Sequence, residues 1–155
     1  MTALTDLSDI DIRRVAYSAE CAANIAGVCR RCFSDPWSEN SISGELNSRL
    51  SYWLVAVQEG VLLGYIGSQS VLGESDMMNV AVHPDHRRKG VAEMLILQLM
   101  QDLKQRENLN LSLEVRASNM PAITLYEKLG FDTVGRRPNY YRHPKEDALI
   151  MKKAL

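Results

Sequence analysis

The chain predicts an α/β fold, one mixed β-sheet flanked by helices, in a single domain covering residues 1–155. Three observations carry this prediction. Segments that alternate apolar and polar residues, such as "LNLSLEVRA" at 109–117, are interleaved with segments of helical periodicity, such as Gly90 to Glu107. A length of 155 residues is enough for one hydrophobic core and short for two. No internal repeat, low-complexity tract or linker divides the chain.

Taken in order, "DIDIRRVAY" alternates as a first strand would. Residues 18–33 suit a helix opened by Ser18 and closed before "SDPW". A second helix is expected from Ser38 to about Leu50. "YWLVAV" (52–57), the turn "QEG" and "VLLGYIGSQSVL" (61–72) form a hairpin, and "SDMMNVAVHP" gives a fourth strand stopped at Pro84. From Gly90 to about Glu107, Val91, Leu95, Leu99 and Leu103 recur at helical spacing. The strand at 109–117 points Leu111, Leu113 and Val115 to one face and Ser112, Glu114 and Arg116 to the other. Asn119 caps a fourth helix with Pro121 in its first turn, and Gly130 ends it. Two last strands, near 131–136 and 147–153, flank a loop, "RRPNYYRHPKE". The predicted order is β-α-α-β-β-β-α-β-α-β-β.

Composition removes several function classes. Acidic residues number 19 against 18 basic, so overall charge favours neither direct nucleic-acid binding nor a membrane surface. Cys21, Cys29 and Cys32 are an odd set without a second pair for zinc, and read as buried or half-buried free thiols. "MTALTDLSDIDIRRV" carries acids where a secretory signal needs bases, and no stretch reaches the length of a membrane span. A cytoplasmic protein is expected. His83 and His86 make H-x-x-H with no evident third ligand, so they are read as loop residues and no metal site is expected.

One local feature stands out against the neutral background. Arg87, Arg88 and Lys89 lie directly before the "GVA" that opens the third helix. A solvated basic turn is one reading. A phosphate site is the other, because the first N–H groups of a helix lack intrahelical partners and its dipole attracts anions. The spacings G-x-x-x-x-G-K-[ST] and G-x-G-x-x-G are both absent, so neither standard nucleotide loop explains the cluster.

"VAVHPDHRRKGVAEML" followed by "LEVRASNMPAITLYEKLGF" resembles the GCN5-related N-acetyltransferases, from about residue 10 to the end of the chain. That resemblance implies the acyl-CoA N-acyltransferase (GNAT) fold and acetyl-coenzyme A as cosubstrate, with no metal. The family's pyrophosphate motif corresponds to Arg87 or Arg88 through Ala92, Ala92 standing where many members have glycine. Arg88, Lys89, Gly90, Val91, Ala92 and Glu93 are thereby implied as the pyrophosphate cradle. Val80, Ala81 and Val82 are implied to offer backbone groups to pantetheine and the thioester, and Asn119 a hydrogen bond to the pantetheine arm. Glu114 is implied as general base and Tyr126 as general acid. "DPWSE", "LEVRASN" and "RRPNYY" are similar to the RimI-like group within the family, which acetylates the N-terminal alanine of a small-subunit ribosomal protein. Trp37, Tyr140 and Tyr141 are then implied to line a peptide groove.

Each residue also has a plainer reading. Glu114 on a polar strand face could be a solvated glutamate, Asn119 a helix cap only, and Tyr126 and Trp37 core packing. The expected function is direct transfer of acetyl to a protein N-terminal amine. Lysine or small-amine acetylation, and a non-catalytic acyl-coenzyme A module, are the alternatives.

Overall fold

The computed structural model describes residues 9–155. The opening segment at 1–8, on which the leader argument partly rests, lies outside the described residues. The elements are β1 (Asp11–Arg14), α1 (Ala19–Cys32), α2 (Glu39–Asn47), β2 (Ser51–Gln58), β3 (Val61–Val71), β4 (Glu74–Val82), α3 (Val91–Gln105), β5 (Asn110–Arg116), α4 (Met120–Lys128), β6 (Asp132–Arg142) and β7 (Lys145–Ala154), with a short 3₁₀ turn at Pro84–His86. This is the expected order of strands and helices, and they form one mixed seven-stranded sheet, β1-β2-β3-β4-β5-β7-β6. Among the described residues, no helix is long and apolar enough to cross a membrane.

The caps sit where the sequence places them. Ser18 and Ser38 accept from the N–H groups of Cys21 and Ser41, and Asn119 accepts from Ala122 N–H at 3.3 Å. Helix α2 stops at Asn47, short of the expected Leu50, because Ser48 turns its N–H back to the Glu45 carbonyl.

Two apolar clusters cover the two faces of the sheet. One joins α3 and α4 to Leu54, Ile66, Leu111, Leu113 and Val115; the other joins α1 and α2 to Trp53, Val55, Tyr65 and Ala81. In the second, the Trp53 ring stacks on Tyr65 with centroids 5.8 Å apart and lies against Gly67, where a Cβ would collide with the indole. Gly67 is therefore required by close approach.

A bulge at Met78 decides the geometry of β4. Gly67 pairs with Asn79 and Ser68 with Met77, so Met78 is an extra residue. An extra residue exchanges the faces of everything beyond it. Met77 packs into the α3/α4 cluster before the bulge; Val80 and Val82 do so after it, while Ala81 turns to the α1/α2 cluster.

The same point marks a parting of strands. β4 and β5 are parallel but pair only at Glu74–Asn110, Ser75–Leu111 and Asp76–Ser112. Beyond that, β4 stays with β3 as far as Val82, and β5 stays with β7 as far as Arg116. A wedge opens between them. α3 and α4 begin just past the carboxyl ends of these two strands, the usual position for a ligand crevice in an open α/β sheet.

The expected loop at 136–146 is a correction. Residues 136–142 belong to β6 and Lys145 and Glu146 to β7, paired at Tyr141–Glu146 and Arg142–Lys145. Pro138, with no N–H to donate, falls in the register break between Arg137 and Tyr141, which lets the ladder resume beyond it. Asp147 holds this break: its carboxylate accepts from Asn139 N–H at 2.8 Å and Arg136 Nε at 2.7 Å. Both contacts hold that carboxyl below its usual range, the Asn139 N–H foremost.

Candidate active site

At the mouth of the wedge, the turn after β4 leads into α3 through Arg88 at φ 63° and Gly90 at φ 80°. Gly90 occupies the N-cap and supplies no side-chain cap, so the first N–H groups of a 15-residue helix face outward. A Cβ on Gly90 would meet nothing within 4 Å. Uncapped N–H groups, open space and the neighbouring Arg88 and Lys89 make a seat for an anionic group. Val91 sends its side chain into the core, so it can contribute to that seat only through its backbone. Glu93 points elsewhere, pairing with Lys128 of α4 at 3.1 Å.

Below the turn, no strand among the described residues pairs with Val80, Ala81 and Val82 on the wedge side. Val82 is the more committed of the three, its carbonyl accepting from Cys32 Sγ and Arg87 Nε, each at 3.2 Å. Cys29 is buried and Cys21 and Cys32 half-buried, and all three thiols are free. His83 Nδ1 accepts from Asp85 N–H inside the 3₁₀ turn. Burial foremost, then Lys89 and His83, lowers the His86 pKa and favours a neutral ring. Among the described residues, no three His, Cys, Asp or Glu side chains gather as metal ligands would.

Glu114 projects from the polar face of β5, as its alternation predicts. Its surroundings are not apolar: Arg137 Nε donates to Oε1 at 3.0 Å, and the Tyr140 hydroxyl also hydrogen-bonds the carboxylate. That bond first, then burial, pushes the Tyr140 pKa up to about 12. Tyr141 packs edge-on to Tyr140 at 5.0 Å, its ring under the Arg116 guanidinium at 4.2 Å. Arg116 also donates to the carbonyls of Pro144 and His143, tying the end of β5 to the β6–β7 turn.

Tyr126 lies on α4 among the core residues, edge-on to Phe131 at 5.8 Å. Burial, reinforced by nearby Tyr141, pushes its pKa up to about 12, so the hydroxyl keeps its proton at neutral pH. Tyr141 is the shared neighbour, since its own pKa is raised by burial and then by Glu114. Asn119 caps α4. Trp37 is half-buried and packs edge-on against Trp53 at 6.2 Å at the edge of the α1/α2 cluster.

Arg137 and Tyr140 are thus gathered at Glu114 with Tyr141 beside them. Tyr126 sits with the core residues on the face of β5 that Leu113 and Val115 line, and the 88–93 turn lies at the open end of the wedge. Arg137 and Asp147 escaped the sequence reading. Arg137 was visible in "RRPNYY", but its partner depends on a register break that no local pattern announces.

Comparison with known proteins agrees with this architecture. The acetyltransferase (GNAT) family matches residues 22–131. Ribosomal protein bS18-alanine N-acetyltransferase of Escherichia coli (strain K12) is 40% identical over 125 residues, which is 79% of this chain and 83% of that protein. The crystal structure of the ribosomal-protein-S18-alanine N-acetyltransferase from Escherichia coli aligns with a TM-score of 0.85 at 32% identity, covering 93% of this chain and 94% of that one. Arabidopsis thaliana NAA60, solved in complex with acetyl-CoA, shares the fold at 18% identity with a TM-score of 0.84, covering 94% of this chain and 98% of that one. With the wedge, the uncapped helix and a family match across most of its length, the chain belongs to the GNAT acetyltransferases.

Proposed function

We propose that this protein transfers the acetyl group of acetyl-coenzyme A to the α-amine of an N-terminal alanine on a small-subunit ribosomal protein, acting as a single domain in the cytoplasm. The observation that carries this reading is the wedge between β4 and β5, which ends in an uncapped helix N-terminus and is flanked by Glu114 on β5 and the buried Tyr126 on α4. The Escherichia coli relative named for bS18-alanine acetylation supports the choice of acceptor.

The residues divide the work by charge. Backbone N–H groups at 90–93, with Arg88 and Lys89, hold the pyrophosphate. Val80 and Ala81 offer main-chain partners to the pantetheine arm and thioester, and Asn119 adds a side-chain amide. The α-ammonium enters from the β6–β7 side, where Tyr140 and Tyr141 receive the first residues of the peptide. Trp37 supports that side through packing. Glu114 takes one proton from the α-ammonium, the amine attacks the thioester carbon, and the carbon–sulfur bond breaks as Tyr126 protonates the leaving thiolate. The second proton then leaves the nitrogen through solvent, giving the neutral amide and restoring the Tyr126 hydroxyl. An α-amine has a pKa of ~8 and a lysine ~10.4, so one carboxylate suffices more readily for a chain end.

Replacing Gly90 with valine tests the cradle. At φ 80° a β-branched residue is strained, and its side chain would project into the space left for the anion. Calorimetry on the folded Gly90→Val variant should show acetyl-coenzyme A affinity reduced about tenfold or more, the loss of roughly one good anion contact. Unchanged affinity overturns the assignment.

The acceptor is tested by incubating the protein and acetyl-coenzyme A with a peptide beginning in free alanine, and with the same peptide N-terminally blocked and carrying lysine. Mass spectrometry should find acetyl on the first and not on the second. Preference for the blocked lysine peptide would replace N-terminal by lysine acetylation on the same fold.

A further inference from the structure

We propose that Arg137 selects the acceptor by charge: its guanidinium occupies Glu114 in the free enzyme, and a cationic amine must displace it to reach the carboxylate. This rests on the reading of Glu114 as proton acceptor.

Of Arg116, Arg136 and Arg137, which lie on β5 and the neighbouring stretch of β6, two are committed elsewhere. Arg116 is bound to the Pro144 and His143 carbonyls and to Glu146, and Arg136 is bound to Asp147 at 2.7 Å. Arg137 alone reaches Glu114, at 3.0 Å. It is set there by the register break that Asp147 stabilises, which also brings Tyr140 back to the same carboxylate.

The two donors on Glu114 differ in kind. Tyr140 is neutral and can stay when another donor arrives, since a carboxylate offers about four acceptor positions. Arg137 is a cation. An α-ammonium and a guanidinium on one carboxylate repel each other, and Arg137 is the one free to leave, its side chain being 55% exposed. A neutral hydroxyl or an already acetylated terminus brings no charge with which to compete. After transfer the product amide is neutral, so the guanidinium returns to Glu114 as the product departs.

The strength of the pair sets the size of the effect. Exposed ion pairs contribute up to about 1 kcal/mol, equivalent to roughly a fivefold change in an equilibrium constant. Arg137 is therefore weak enough to be displaced and strong enough to be measured.

Steady-state kinetics with the alanine-initiated peptide test this on Arg137→Gln and Arg137→Lys. The glutamine variant should lower the peptide KM by about twofold to fivefold, with kcat moving less than KM. The lysine variant, which restores the cation, should return KM towards the wild-type value. A KM in Arg137→Gln that is unchanged overturns the inference, and a raised KM would mean that Arg137 grips the acceptor instead. A merely structural role would not produce lowering by glutamine and recovery by lysine. If Glu114→Gln abolishes turnover while Arg137→Gln leaves KM unaltered, only this inference fails; if Glu114→Gln is active, the underlying reading fails.

Discussion

Glu114→Gln should lower kcat about a hundredfold or more while acetyl-coenzyme A binding is retained, because glutamine keeps the shape of the side chain and removes the proton acceptor. The substitution lies at the polar face of β5, across the strand from Leu113 and Val115, so the core is untouched. Tyr140 and Arg137 can still donate to the amide oxygen that replaces Oε1, which preserves the local arrangement. The deficit should shrink as pH rises past ~8, where a growing share of the α-amine is already neutral and needs no base. Steady-state rates across that range, with calorimetric cofactor affinity as the control, check both halves. A near-normal rate at neutral pH would assign deprotonation to another residue or to solvent.

Tyr126→Phe should cost kcat about a hundredfold and leave peptide and cofactor binding in place. The ring is needed by the core, where it meets Phe131, and phenylalanine supplies the same ring. Only the hydroxyl is lost. The variant also has a stability signature whose sign follows from the raised pKa. Below pH ~10 the phenol is protonated in both the folded and unfolded chain and adds no pH dependence. Between ~10 and the folded value of about 12, the unfolded chain gives up its proton while the fold holds it, so stability falls as pH rises. Two pKa units correspond to roughly 3 kcal/mol. Chemical denaturation at a series of alkaline pH values should therefore show Tyr126→Phe losing less stability than the wild-type chain. Tyr65, also buried and also raised, contributes the same trend in both proteins and cancels in the difference. An equal slope for the two would mean that the Tyr126 hydroxyl is not held neutral by its surroundings.

Much of the architecture is legible in local pattern. The caps at Ser18, Ser38 and Asn119 and the alternation of Leu111, Leu113 and Val115 each depend on residues a few positions apart. So does the stop at Gly130, whose φ of 95° admits glycine at little cost. The motif after β4 is equally local, since a helix N-terminus and the cations before it are neighbours in sequence. For these features, short-range hydrogen bonding and side-chain periodicity carry the information.

Trp37, Glu114 and the β6–β7 segment show the other case. Trp37 in its loop has no partner that local pattern names, and the structure sets it half-buried against Trp53 on β2. Alternation places Glu114 on the polar face of β5 but does not say what it meets there, and its company is Arg137 and Tyr140 from β6. The segment read as a loop became two paired strands because the ladder resumes past Pro138, a register available only once β7 is in place beside β5.

The sequence by itself determined the order of elements, their caps, the faces of β5 and the anion-seeking turn at the start of α3. The tertiary structure alone decided that β4 leaves β5 after three pairs, that Met78 exchanges the faces of β4, and that Arg137 meets Glu114 across a register break. The physical reason is that a strand's register is set by partners far along the chain. A single unpaired residue in one ladder redirects every side chain beyond it.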